Sequence, residues 1–325
     1  MSSGKPDSVL IVSRNEVERL FTLDDALQTQ EALFRALGSG QATVLPILKQ
    51  TVAEYDGEFE IKAGVVNKPP IMGLKMITDY SRNTMLKDSP AYQSFISLLD
   101  ASTGALFAIV DGSRITGLRT AAAGAVAAKY LARKDSKKVG VIGAGNQGRL
   151  QVTALQKIFK IQEINVYDVS RDVLTRYAQE MGPKLGVKVT ARDSPEEAVR
   201  GADIVVTVTP STKPYLRAEW ISHGAHINAF GADSRGKQEL DEAIYDRAKL
   251  VVDKREIAIA KGVIKPEQIY AELGEIINSL KAGRESNEEI TVFDSSGIGV
   301  QDLVSAEIVV ERARERGMGT SVSLL

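Results

Sequence analysis

A glycine-rich loop near the middle of the chain constrains the fold more than any other feature. In KKVGVIGAGNQGRLQVTAL, Gly143, Gly145 and Gly148 have the spacing G-x-G-x-x-G. An apolar run typical of a buried strand precedes the loop, and a helical pattern follows it. The spacing alone is weak evidence, but a strand, this loop and a helix in direct succession predict a dinucleotide-binding site.

Each glycine of this loop has a separate expected role. Gly143 permits the tight turn, Gly145 lets the backbone approach a pyrophosphate, and Gly148 lets the helix pack against the strand. The N-terminus of the helix would offer N–H groups and a partial positive charge to the phosphates.

A carboxylate follows at the distance that such a site requires. About 20 residues after the loop, the strand in INVYDVS ends near Asp168, where a carboxylate accepts hydrogen bonds from the ribose hydroxyls. A carboxylate repels a 2′-phosphate, so NAD is the favoured cofactor. Arg171 lies close in sequence and could pair with such a phosphate, which keeps NADP as the alternative.

The pattern of apolar segments divides the chain into two parts. Between residues 126 and 301, short apolar strands alternate with helical segments, which predicts an α/β domain with a Rossmann-type, doubly wound parallel sheet. Strand-like segments before it follow one another directly and predict a mixed α+β domain over residues 1–125. The Ala-rich helix from Thr116 to Arg133 contains the first boundary.

Composition limits the partners of the chain. The 325 residues carry 41 basic and 42 acidic side chains, a formal net charge of −1, so no electrostatic argument favours nucleic acid or a membrane surface. The absence of cysteine fits a reducing cytoplasm, which is the expected location. His223 and His226 are the two histidines, and surface or loop-packing roles are expected for both, since no further ligand cluster indicates a metal site.

Five segments in order resemble the ornithine cyclodeaminase/mu-crystallin family. They are IMGLKMIT, ITGLRTAAAGAVAAKYLAR, VGVIGAGNQGRLQ, GADSRGKQELD and VFDSSGIGVQD. The resemblance covers nearly the whole chain and is more specific than the glycine loop alone. It implies a homodimer in which the mixed domain, built from residues 1–125 with 302–325, binds substrate and forms the dimer.

The resemblance also implies roles for individual residues. Lys75 would lie at the substrate, Arg119 would contact the substrate carboxylate and the cofactor, and Asp233 would donate or accept a proton. Further cofactor contacts would be Asn146, Gln147, Asp168, Thr209, Lys237 and Ile298. Without the resemblance, Lys75 would be interpreted as a solvated strand lysine and Arg119 as a residue of the first helical turn. Asp233 would then be an ordinary turn residue.

The chemistry explains why these residue types are required. Loss of hydride from the Cα of an amino acid leaves an iminium, and the amine must first be neutral, so Lys75 or Asp233 would take its proton. The same group would supply a proton when an imine is reduced. Arg119 would hold the substrate carboxylate and so orient Cα.

Departures from the family pattern concern the substrate more than the reaction. Lys49 is the cation near a position where many members carry an arginine that grips the substrate carboxylate, and Lys62 replaces a frequent methionine. These cations would suit a second carboxylate, as in iminosuccinate and aspartate, or they are surface lysines of strands. Glu60 is placed where a cyclodeaminase would hold a distal amine, but Ser234 and Arg235 replace the Cys-Pro pair typical of cyclodeaminases.

The leading hypothesis is therefore an NAD(P)-dependent amino-acid dehydrogenase or imine reductase. Its substrate would be a small amino or imino acid, with alanine, iminosuccinate and cyclic ketimines as candidates. The alternatives are a redox-neutral ornithine cyclodeaminase and a non-catalytic NAD(P)-binding protein.

Overall fold

A computed structural model describes residues 8–80, 83 and 92–324. The chain divides into two compact units. Unit 1 comprises Met1–Arg119 and Ile298–Leu325, and unit 2 comprises Thr120–Gly297. The sequence analysis expected boundaries after residue 125 and before residue 302, a few residues from those of the structure.

The strands of unit 1 form one mixed sheet. Their bounds are β1 Val9–Val12, β2 Ala42–Val44, β3 Leu48–Val52, β4 Gly57–Val66, β5 Ile71–Tyr80, β6 Tyr92–Asp100, β7 Leu106–Asp111 and β16 Thr320–Val322. The order is β16-β1-β7-β6-β5-β4-β2, and β3 pairs with β4 beside β2. Neighbouring strands are antiparallel except for β1 and β7.

The strands of unit 2 form a second sheet, which is parallel throughout. Their bounds are β8 Lys138–Ile142, β9 Glu163–Tyr167, β10 Lys188–Ala191, β11 Ile204–Thr207, β12 His226–Ala229, β13 Lys249–Val252, β14 Ile269–Glu272 and β15 Thr291–Asp294. The order is β10-β9-β8-β11-β12-β15-β13-β14. Because the chain leaves β8 for one side of the sheet and returns beside it as β11, the switch point of this doubly wound sheet lies between these two strands. The predicted α/β fold class is confirmed.

Ten α-helices complete the described part of the chain. Their bounds are α1 Arg14–Leu20, α2 Leu23–Gly38, α3 Ser113–Leu131, α4 Asn146–Ile158, α5 Arg171–Leu185, α6 Pro195–Val199, α7 Glu242–Arg247, α8 Arg255–Ala260, α9 Leu273–Ile277 and α10 Gly299–Glu315. Short 3-10 helices lie at Ala53–Tyr55, Ala218–Trp220 and Pro266–Gln268.

Two helix starts show how local sequence sets the element bounds. Thr22 caps α2, accepting a hydrogen bond at its Oγ1 from the Asp25 backbone N–H, while the Asp25 carboxylate accepts from the Thr22 backbone N–H. At α1, the backbone N–H and the hydroxyl of the cap residue Ser13 both donate to the Glu16 carboxylate. Asn15, although a residue type common at caps, lies inside α1.

Helix α10 lies unusually close to the sheet of unit 1 because glycines remove side chains from the contact. A Cβ added at Gly299 would come within 2.6 Å of the Lys62 backbone carbon. A Cβ at Gly64 of β4 would come within 2.4 Å of the Val300 side chain. The close approach places the first turn of α10 directly over the middle of β4 and β5.

Candidate functional site

Lys75 is a buried lysine in the middle of unit 1. It lies on β5, opposite Lys62 of β4 and Ile96 of β6, and only 1% of it is exposed. A strand lysine would ordinarily extend into water, so the interpretation of Lys75 as a solvated lysine was wrong. An ionisable group this deeply buried needs a counter-charge.

Asp302 supplies that counter-charge and was missed by the sequence analysis. One carboxylate oxygen lies 3.0 Å from Lys75 Nζ, and the other lies 3.0 Å from Arg119 Nε. Asp302 itself is fully buried in the first turn of α10. The sequence did indicate that Asp302 would be buried. It lies about two helical turns before the apolar Val309 and therefore on the same face of the helix.

The ion pairs determine how these groups titrate. The pKa of Lys75 is lowered to about 7, chiefly by burial and also by the nearby cations Arg119 and Lys62, while Asp302 acts in the opposite direction. Burial alone would raise the pKa of Asp302, but Arg119 and Lys75 outweigh this effect and hold the pKa below its ordinary value. Lys75 therefore exists in both protonation states near neutral pH, beside a carboxylate that stays ionised.

Arg119 is held on two sides by the start of α10. Besides its ion pair with Asp302, its Nη1 donates to Gln301 Oε1 over 3.1 Å. The same Gln301 oxygen accepts from the backbone N–H of Ile298, which caps the helix. Arg119 is therefore buried and is not an exposed residue of a first helical turn. Its Nη2 takes part in neither the Asp302 nor the Gln301 contact.

A row of charged side chains extends from Lys75 along the same face of the sheet. Lys62, directly opposite Lys75, pairs with Glu60 over 3.1 Å. Further out, Lys49 of β3 pairs with Glu58 over 2.8 Å. The predicted substrate residue Lys49 is therefore ion-paired with Glu58 and is separated from Lys75 by β4.

The glycine loop of unit 2 adopts the geometry expected of it. Gly143 has a φ of +106°, which favours glycine, and a Cβ on Gly148 would lie 2.1 Å from the Gly143 carbonyl oxygen. A Cβ on Gly145 would meet no described protein atom within 4 Å. Packing against the described chain thus explains the glycines at 143 and 148, whereas a side chain at 145 would enter the open space in front of the loop.

Asp168 fixes the neighbouring loops at the carboxyl edge of the parallel sheet. Its two oxygens accept from the backbone N–H groups of Ala144 and Ser170, each over 2.8 Å. Arg171, the cation considered for pairing with a 2′-phosphate, forms an exposed ion pair with Asp193 at 2.6 Å. The carboxylate is therefore rigidly placed beside the glycine loop, and Asn146 and Gln147 begin helix α4 directly after that loop.

Asp233 lies in the loop that follows β12. Its carboxylate pairs with Lys237 over 2.8 Å, so the structure brings together a predicted catalytic residue and a predicted cofactor contact. Both side chains are partly exposed. Asp233 thus occupies the carboxyl edge of the parallel sheet, where ligands of such folds bind.

Glu239 organises this edge and was also missed by the sequence analysis. Its carboxylate accepts from the Thr209 backbone N–H at 2.7 Å, the Gly231 backbone N–H at 2.8 Å and the Tyr215 hydroxyl at 2.8 Å. The Thr209 hydroxyl also binds it. Glu239 therefore ties the loop after β11 to the loop after β12, which carries Asp233.

One of the two histidines, His226, does not have the expected surface or loop role. His223 is exposed, but His226 is fully buried in β12, with its ring nitrogens 2.9 Å from Thr291 Oγ1 and 3.0 Å from Asn228 Oδ1. Burial lowers the pKa of His226 to about 3. His226 is thus a neutral core residue. Within residues 8–80, 83 and 92–324, no three His, Asp or Glu side chains are grouped to hold a metal.

No helix among the described residues has the length and apolar character needed to cross a membrane.

The fold and these groups define a two-unit protein with a dinucleotide-binding sheet and a buried lysine, and comparison with known proteins places it in a family. The model of the ornithine cyclodeaminase/mu-crystallin family matches residues 8–317, and the chain belongs to this family. The resemblance inferred from the five segments is confirmed.

Individual relatives are similar over almost their whole length. A solved archaeal alanine dehydrogenase dimer with bound NAD is 38% identical, with a TM-score of 0.91, over 98% of this chain and 100% of the other. The Thermococcus litoralis Δ1-pyrroline-2-carboxylate reductase, solved with NADH and L-proline, is 36% identical with a TM-score of 0.89, over 97% and 100%. The iminosuccinate reductase of Paracoccus denitrificans is 33% identical over 97% of this chain and 100% of its own length.

Proposed function

We propose that this protein is an NAD-dependent oxidoreductase that transfers hydride between nicotinamide and the Cα of a small amino or imino acid. The observation that carries the proposal is the buried group of Lys75, Arg119 and Asp302 in unit 1. A lysine with a pKa of about 7 beside a fixed guanidinium matches a reaction that moves one proton and binds one carboxylate. The names of the three relatives agree with this class of reaction.

Unit 2 fits the cofactor. The glycine loop at the switch point, the open space before Gly145 and the carboxylate of Asp168 correspond to the pyrophosphate and ribose contacts of a dinucleotide. Asp168 would repel a 2′-phosphate and Arg171 is paired with Asp193, so NAD is preferred over NADP. Thr209, Lys237 and Ile298 are proposed as further contacts.

Arg119 is proposed to bind the substrate carboxylate. Asp302 and Gln301 engage its Nε and Nη1 and thereby fix the plane of the guanidinium. A planar guanidinium held in this way presents directed N–H groups to a carboxylate. Binding would fix the orientation of Cα, which is how positioning lowers the barrier to hydride transfer.

Lys75 and Asp233 are proposed to handle the proton. When bound, the nicotinamide donates or accepts the hydride at Cα. In the reductive direction the imine nitrogen gains one proton as Cα gains hydride, and protonated Lys75 or Asp233 provides it. In the oxidative direction neutral Lys75 or ionised Asp233 takes the proton from the substrate ammonium, so that the nitrogen lone pair can form the C=N bond. Lys75 suits both directions because its pKa lies near neutral pH.

We further propose that unit 1 binds substrate and forms a homodimer, and that the protein works in the cytoplasm. The dimer is supported by the archaeal relative. Sedimentation of the purified protein measures the state directly, and a monomer at micromolar concentration would contradict it.

Nicotinamide absorbance tests the reaction. We expect oxidation of NADH with pyruvate and ammonia or with pyrroline-2-carboxylate, and a much weaker response with NADPH. Ornithine with NAD serves as the contrasting assay, because ammonia release without net NADH would indicate a cyclodeaminase. If no imine changed the NADH absorbance, although calorimetry showed NAD binding, the proposed oxidoreductase would be refuted.

A further inference from the structure

The charged side chains around Lys75 occupy one continuous face of the unit 1 sheet. Lys62 lies directly opposite Lys75, and Glu60 lies directly opposite Lys49. Because side chains alternate along a strand, Glu58, Glu60 and Lys62 of β4 share this face. We refer to Lys49, Glu58, Glu60 and Lys62 as the charged row.

The charged row becomes steadily more buried toward Lys75. The side chain of Lys49 is 31% exposed, that of Glu60 14% and that of Lys62 5%. A molecule held by Arg119 and Lys75 would meet Lys62 and Glu60 as the next ionisable groups of the described sheet. The row is therefore placed to contact the substituent on the substrate Cα.

Charges are balanced differently around Lys75, which is the buried end, and along the charged row. At the buried end, two cations, Lys75 and Arg119, share one carboxylate, Asp302. Among the described residues, these three groups carry a net charge of +1 when Lys75 is protonated. Along the charged row each lysine has its own carboxylate, Glu60 for Lys62 and Glu58 for Lys49.

We infer that the substrate carries one carboxylate and an uncharged side chain, as in alanine or a cyclic imino acid, and that the Glu60–Lys62 pair enforces this choice. The inference rests on the proposed function. The buried end accommodates a single carboxylate, and the row beyond it presents an ion pair with no net charge.

The ion pair disfavours both kinds of charged substituent. A second carboxylate, as in aspartate, would approach Lys62 but also the Glu60 carboxylate 3.1 Å from Lys62 Nζ, and like charges this close repel. A distal ammonium, as in ornithine, would be attracted by Glu60 and repelled by Lys62. The two lysines that the sequence analysis connected with a dicarboxylate therefore do not form an anion site by themselves.

Oxidation of amino acids tests the inference with stable substrates. Purified protein is assayed with NAD and L-alanine, L-proline, L-aspartate or L-ornithine, and kcat/KM is taken from NADH formation. We expect alanine or proline to exceed aspartate and ornithine at least tenfold. A preference for aspartate or ornithine would overturn the inference while leaving the proposed oxidoreductase intact. If no amino acid formed NADH and no imine oxidised it, the oxidoreductase itself would be contradicted instead.

Charge removal at the pair tests its role. Glu60→Gln leaves Lys62 without its carboxylate, so kcat/KM for aspartate relative to alanine should rise at least fivefold. Lys62→Met leaves Glu60, so the ratio for ornithine relative to alanine should rise instead. The matched control Glu54→Gln removes a charge from an exposed residue of the same unit and should leave both ratios unchanged.

The opposite responses distinguish specificity from damage. A variant that merely loosened the sheet would lower the rates with all substrates and leave their ratios as they were. Unchanged ratios in both Glu60→Gln and Lys62→Met, in protein whose melting temperature matches the wild type, would overturn the assignment to this pair.

Discussion

Replacement of Asp302 by asparagine should change the direction in which the enzyme works best at neutral pH. The substitution keeps the shape of the side chain but removes the negative charge 3.0 Å from Lys75 Nζ. Asp302 is the nearest group that favours the protonated form of Lys75, against burial and the cations Arg119 and Lys62. Without it the pKa of Lys75 must fall.

The size of the fall follows from the geometry. An opposite charge at this distance shifts a pKa by about 1–3 units, or roughly 1.4–4 kcal/mol. From about 7 in the wild type, the pKa of Lys75 would fall to roughly 4–6 in Asp302→Asn. At pH 7 the protonated fraction of Lys75 would then decrease from about one half to roughly one tenth or less.

The assay is kcat/KM against pH in both directions. If Lys75 donates the proton in reduction, kcat/KM for reduction should decline with rising pH near pH 7 in the wild type. In the variant the midpoint of this decline should move down by about 1–3 pH units, and activity should recover on acidification. Oxidation uses neutral Lys75, so kcat/KM for oxidation should rise with pH, and the midpoint of this rise should move down as well. The protonation of Lys75 should then no longer limit oxidation at pH 7. A structural defect would lower both directions together.

Stability must be measured alongside, because the variant leaves Arg119 buried without its carboxylate. Breaking a buried ion pair in this way costs about 3–5 kcal/mol. Asp25→Asn is a matched control, since it breaks the Asp25–Arg312 pair of the same unit without touching Lys75. If the midpoint near pH 7 in the pH dependence of kcat/KM is unchanged in folded Asp302→Asn, the reasoning about Lys75 is refuted, and Asp233 becomes the proton donor.

Three further outcomes can be measured independently. Asp233→Asn should retain NAD affinity but lower turnover about 10²–10⁴-fold, because it removes a proton acceptor without changing volume, and near-normal turnover would exclude that role. Asp168→Ala should raise KM for NAD at least tenfold and change KM for NADP little; an unaltered preference would contradict the ribose contact. His226 has a folded pKa of about 3 against about 6.5 when unfolded, so it binds a proton only on unfolding between these values. Stability should therefore fall by about 1.4 kcal/mol for each pH unit below 6.5, and urea titrations of His226→Asn should lose this slope if the assignment is right.

The dinucleotide-binding half could be predicted from local sequence because its determinants are local. Gly143 and Gly148 are needed by the backbone geometry of one short turn, and Asp168 follows one strand later. Alternation of apolar strands with helices is likewise a pattern of neighbours in sequence. The structure therefore confirmed the parallel sheet, and the family comparison confirmed the resemblance.

The electrostatics of the candidate site required the tertiary structure. Arg119 and Asp302 lie 183 residues apart, and no local pattern states that the first turn of α10 will lie on β4 and β5. Lys75 was assigned by resemblance, but its burial and its pKa near 7 depend on that packing.

The same distinction applies to residues whose surroundings the sequence does not show. Lys49 and Lys62 were plausible anion-binding cations as isolated residues, and His226 was expected at the surface or in a loop. Strand register places Glu58 and Glu60 beside the lysines, and it places His226 inside the parallel sheet. The sequence by itself determined the fold class, the cofactor loop and the residue types available for catalysis. The tertiary structure decided which charges are paired and buried, since the free energy of a charge depends on the neighbours and the water that folding leaves around it.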